Sequence, residues 1–167
     1  MRTALDAKTG RLDEAEEAFV GKIREHGWFR TGVFAEQDSP GFSYTTGFCV
    51  SASHPELIIF SMKDDIAHDV FWDMFRDAKS GKVSTPGKRT TEVFANLPAY
   101  AFEVAQKHYH GLLGWSRWFY GGNDFRCLQI VWPDRGGLFP WELGFAAEFA
   151  KDQPDLTERG WVNHLID

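Results

Sequence analysis

The sequence lacks any hydrophobic run near the roughly 20 residues needed to cross a bilayer, and residues 1–12 lack the apolar centre of a secretory signal. A cytoplasmic location with no membrane partner is therefore expected. Cysteine is scarce: Cys49 and Cys127 stand far apart in apolar company, which fits buried free thiols better than a disulfide. The basic residues form no run and the formal net charge is -6, so nothing general attracts a phosphate backbone, and nucleic acid is not an expected partner. There is no GxGxxG, no GxxxxGK[ST], no GxSxG and no CxxC. The common nucleotide, esterase and zinc-ribbon readings have no support.

Aromatic residues, in contrast, are abundant: seven Trp, fifteen Phe and four Tyr. They supply large rigid surfaces for a dense core or an aromatic pocket. With 167 residues the chain is long enough for one domain with a substantial core. One domain over residues 1–167 is expected.

From Leu12 to His26 an acidic start with Phe19, Val20 and Ile23 on one side predicts an amphipathic helix ended by Gly27. Trp28 to Ala35, the turn-rich EQDSPG and Phe42 to Val50 read as two strands of a hairpin. Leu57 to Met62, LIIFSM, is a short apolar run for the middle of a sheet. Next, Asp64 or Asp65 can cap a helix to Lys79, with Ile66, Val70, Phe71, Met74 and Phe75 at helical spacing. Thr91 to Ala95 and Ala99 to Ala105 read as strands broken at Pro98, and His108 to Gly122 as a helix turn under a loop. Arg126 to Trp132 is a further central strand ended by Pro133, and Phe145 to Lys151 a helical turn. Hairpins with inserted helices predict an α+β fold with a mostly antiparallel sheet, open or closed into a small split barrel, flanked by two or three helices.

Within the stretch WPDRGGLFPW, WPD at Trp132 to Asp134 invites comparison with the acid loop of tyrosine phosphatases. That chemistry needs a thiolate in a phosphate-cradling loop, and neither cysteine is followed by one. Asp134 before Gly136 and Gly137 reads instead as a turn whose carboxylate satisfies backbone donors, or as one wall of a pocket with Trp132 and Trp141. His54, in a short loop with Glu56 close by, is a candidate general base or metal ligand, or a structural histidine bonded to a backbone carbonyl. Tyr44, Thr45 and Thr46 in SYTTGF are candidate ligand contacts, or ordinary strand residues. His108 and His110 share a spacing seen in metal sites but have no clear third ligand, and no metal site is assigned.

The motifs YTTGF, HPELIIF, WFYGG, LQIVWPDRGGLFPWE and QPDL, in this order, resemble a bacterial family known as domain of unknown function 4262, over about residues 27–156. The resemblance implies relatives and no particular reaction. A strand with small hydroxyl residues, a loop, an apolar strand and a helix is also similar to flavin-reductase-like split barrels, which implies a flavin or haem cofactor and a homodimer. Only Lys82, Lys88 and Arg89 could then meet a flavin phosphate.

Three functions follow as expectations. One is a small-molecule-binding domain with Tyr44, Thr45, Thr46, His54, Trp132, Asp134 and Trp141 around a site at strand ends. A second is an enzyme with His54 as base or ligand, assisted by Glu56 or Asp134. The third is a binder of a protein partner, of immunity or antitoxin type, since acidic surfaces steer basic partners and Trp anchors interfaces.

Overall fold

A computed structural model describes residues 1–167 as a five-stranded mixed sheet between two helical layers. Helix α1 (Glu14–His26) opens on an Asp13 cap, whose side chain accepts from Glu16 N, and ends on Gly27 in the left-handed region, as the acidic start and the glycine predict. Strands β1 (Phe29–Val33) and β2 (Phe42–Thr46) form the expected antiparallel hairpin. A short helix α2 (Phe48–Ala52) then leads to β3 (Glu56–Phe60), and α3 (Asp64–Lys79) follows it. Beyond a long loop come β4 (Tyr100–Glu103), helices α4 (Tyr109–Leu112) and α5 (Gly114–Tyr120), and β5 (Cys127–Val131).

The strand order is β1-β2-β3-β5-β4, antiparallel except for the β3–β5 pair. The sheet stays open, with β1 and β4 as its edges, so it does not close into a split barrel. Five α-helices stand where two or three were expected, because the aromatic segment 108–122 winds into α4 and α5 and the SYTTGF region continues into α2. Every residue of β3 and β5 is buried, as strands covered on both faces should be.

Alternation along β3 sorts the core into two layers. Leu57 and Ile59 face α3, meeting Val70, Phe71, Met74 and Phe75, with Phe48 and Trp28 completing that side. Ile58 and Phe60 face the opposite layer, built from Phe19 and Ile23 of α1, Tyr109 of α4, and Phe119 and Tyr120 of α5. A third cluster joins Phe139 and the C-terminal Trp161 to Phe102 and Val131. No helix is long and apolar enough to cross a membrane.

Two local expectations are corrected. Helix α3 begins at Asp64 after Lys63 with no side-chain cap, so neither Asp64 nor Asp65 caps it. Residues 91–95 form bends, with only the Thr90–Ala99 bridge extending the sheet there. The segment from Ala99 contributes β4.

Candidate functional site

His54 follows α2, whose last turn closes with Ser53 in the left-handed region (φ 50°). The loop is short because β3 begins at Glu56. His54 is 6% exposed and its imidazole packs edge-on to Phe48, with ring centroids 5.9 Å apart. Nδ1 lies 2.7 Å from the Pro55 carbonyl and Nε2 lies 2.8 Å from the Ser84 hydroxyl. A carbonyl can only accept, so Nδ1 carries the proton, and Nε2 accepts from the Ser84 hydroxyl. A short loop thus fixes the tautomer and aims the basic nitrogen at a serine thirty positions away.

Burial holds the His54 imidazole below its ordinary value near 6.5; the Pro55 carbonyl opposes the shift and the Arg126 charge adds to it. Because the unfolded chain takes up a proton at higher pH than the folded one, this group costs stability as pH falls through 6.5. The His54 ring resonances, followed by nuclear magnetic resonance, are expected to titrate below 6.5. A midpoint above that value would contradict a buried, neutral imidazole.

His54 and Ser84 lie on the wall of a cavity of about 230 Å³ between the end of α3 and the loop before β4. Met74, Ala78 and Ala101 form its apolar floor. Lys82, Lys88 and Arg89 bring three cations to the cavity, against the carboxylates of Asp77 and Glu92. Lys82 and Asp77 pair at 3.5 Å, while Lys88 and Arg89 have no carboxylate within ion-pair distance. A locally cationic recess therefore opens on a chain whose net charge is -6.

The other residues anticipated around a site fall elsewhere. Glu56 does not orient His54. It starts the strand on the face shared by Ile58 and Phe60, and its fully buried carboxylate accepts from Thr45 Oγ1 at 2.6 Å, Gly47 N at 2.8 Å, Cys49 N at 3.3 Å and the Tyr120 hydroxyl. Burial raises the Glu56 carboxyl pKa, and these donors offset part of the rise. The carboxylate ties β2, the start of α2 and α5 together. Gly47 is required at that junction: its φ is 116°, and a Cβ there would lie 2.5 Å from the Gly27 carbonyl oxygen.

Tyr44 accepts from Trp115 N at 3.1 Å, and Thr46 bonds Ser116 at 2.7 Å, so both anchor α5 to β2. Asp134 spends its oxygens on the backbone amides of Gly136, Leu138 and Ala146, each at 2.9 Å. These bonds hold its carboxyl below the ordinary carboxylate value. Trp132 donates Nε1 to the Phe60 carbonyl at 2.9 Å. Trp141 stacks on Phe139 and meets Tyr100 edge-on. None of these residues lines the cavity beside His54.

No group of three or more His, Cys, Asp or Glu side chains is arranged to hold a metal ion. His110 instead lies 3.1 Å from Arg117. Both cysteines are free thiols. Burial raises Cys49 to about 12, so it is a poor source of thiolate.

A family model for the domain of unknown function DUF4262 matches residues 22–146 of the 167. The chain belongs to this family. No curated protein and no solved structure matches this DUF4262 chain. The likeness to flavin-reductase split barrels thus finds no support, and the open sheet contradicts it. The matched span includes α3, the loop carrying Ser84 and the whole wall of the His54 cavity. No sequence signal marks Ser84 itself, because STPGKR carries turn residues and no periodicity. The basic pair in that segment, Lys88 and Arg89, was the one signal pointing to it.

Proposed function

We propose that this DUF4262 chain is a small-molecule-binding domain whose site is the His54–Ser84 cavity, and that its ligand is a small anion. The observation that carries this reading is the placement of Lys88 and Arg89, free of carboxylate partners, beside an oriented imidazole–hydroxyl pair and an apolar floor. Apolar walls with a few convergent polar groups are what small-ligand sites consist of. At about 230 Å³ the cavity is smaller than the usual range for drug-sized ligands, of roughly 300–1,000 Å³. It suits one carboxylate or phosphate on a few carbons.

Isothermal calorimetry with succinate tests the reading. Succinate is expected to bind the wild-type protein and its neutral diamide is not. Arg89→Ala is expected to weaken binding about tenfold or more, since a charge-assisted hydrogen bond contributes roughly 1.5–3 kcal/mol. Equal affinity for succinate and the diamide, or no loss in Arg89→Ala, would contradict an anion site.

A further inference from the structure

We propose that Ser84 is a nucleophile activated by His54, and that the cavity hydrolyses small carboxylic esters bearing a negative charge away from the scissile carbonyl. The proposal rests on the anion-site reading for its substrate class, and adds an activity to it.

Three features of the geometry carry it. First, a weak oxygen nucleophile needs a base within about 2.6–3.2 Å, oriented in turn by a third group. The Ser84 hydroxyl lies 2.8 Å from His54 Nε2, and the Pro55 carbonyl holds Nδ1 at 2.7 Å. Here a backbone carbonyl takes the orienting place that a carboxylate fills in the familiar serine–histidine–aspartate arrangement. Second, the serine lies on the wall of a recess whose floor is apolar, so a bound acyl group would meet it directly. Third, the Thr85 amide, next along the same wall, makes no hydrogen bond within the chain. Hydrolases often use the amide after the nucleophile to stabilise the oxyanion. Lys88 and Arg89 would hold the substrate's remote charge.

The steps balance without any cofactor. Ser84 Oγ attacks the ester carbonyl as its proton passes to His54 Nε2. The tetrahedral adduct collapses, breaking the bond to the alkoxy group, which leaves as the alcohol with that proton. Water then attacks the acyl-serine, giving a proton to His54. The bond to Ser84 Oγ breaks, the carboxylic acid departs, and His54 returns the proton to the serine. Burial keeps His54 neutral and able to accept at neutral pH.

An alkyl fluorophosphonate, followed by intact and peptide mass, tests the nucleophile. The expected result is one adduct per chain on Ser84, with loss of fluoride, no adduct in Ser84→Ala, and labelling slowed about 100-fold or more in His54→Asn. No adduct, an adduct elsewhere, or an unchanged rate in His54→Asn would overturn the proposal. Burst release of nitrophenol from mono-4-nitrophenyl succinate by the wild-type protein, absent in Ser84→Ala, is the matching expectation for turnover. Succinate calorimetry on Ser84→Ala separates the two readings. Binding without wild-type labelling removes the nucleophile and leaves the anion site; loss of both removes both.

Discussion

Replacing Glu56 with leucine is expected to destabilise the fold by about 4 kcal/mol. The carboxylate is fully buried, with no cation near it, and is the sole acceptor for the Gly47 and Cys49 amides and the Tyr120 hydroxyl. Leucine would leave these donors dry and unpaired, each costing roughly 1–3 kcal/mol before relaxation. A comparable loss follows when one side of a buried polar network is removed. Glu56→Gln is the informative control. Its amide oxygen can keep the three donors that converge on Oε1, and its nitrogen can donate to Thr45 Oγ1, so a loss of about 1 kcal/mol is expected. The glutamine variant should also flatten the pH dependence of stability. Because burial raises the folded carboxyl above its ordinary value of 4.5, the unfolded chain gives up this proton first, and stability falls as pH rises from 4.5 through the folded value. Urea unfolding of the three proteins across pH reads both effects. A leucine variant within 1 kcal/mol of wild type, or a glutamine variant with unchanged pH dependence, would contradict this role.

Phe48→Ala is expected to cost a further large amount, about 4 kcal/mol, by the cavity it opens. Phe48 is fully buried and packs against Trp28 at 5.7 Å, Phe75 at 5.3 Å and His54 at 5.9 Å between ring centroids. It is the side chain through which α2, α3 and the histidine loop share one core. The loss should reach the site: water entering beside the imidazole would move the His54 titration toward 6.5. Thermal unfolding and the ring titration check this pair of effects. A stable variant with an unshifted titration would show that Phe48 does not support His54.

What was legible in the sequence follows the strength of each periodic signal. The α3 residues Val70, Phe71, Met74 and Phe75 recur at helical spacing and all are buried. LIIF is a continuous apolar run and became the central strand. Segment 108–122 was harder, because its glycines and aromatics satisfy no period until α4 and α5 pack them on Phe19 and Tyr44. Glu56 was legible as a residue that matters but not in its role. Being two positions from His54 suggested a partnership, yet strand alternation sends it to the face of Ile58 and Phe60, where it meets Tyr120. Asp134 shows the reverse. Its neighbouring glycines pointed to a turn, and the turn is what its carboxylate holds. Ser84 could not be paired with His54 from sequence, because the contact spans thirty residues and depends on how the loop after α3 folds back.

The proposed ligand site of this DUF4262 chain is the His54–Ser84 cavity. An amide and imidazole resonance map of the protein, recorded during titration with succinate, would locate bound ligand residue by residue. Saturating shifts are expected to converge on His54, Ser84, Thr85, Lys88, Arg89 and Thr90, and to vanish in a Lys88→Ala, Arg89→Ala double variant. Shifts centred instead on Tyr44, Trp132 and Trp141, or none at any residue lining the cavity, would contradict it.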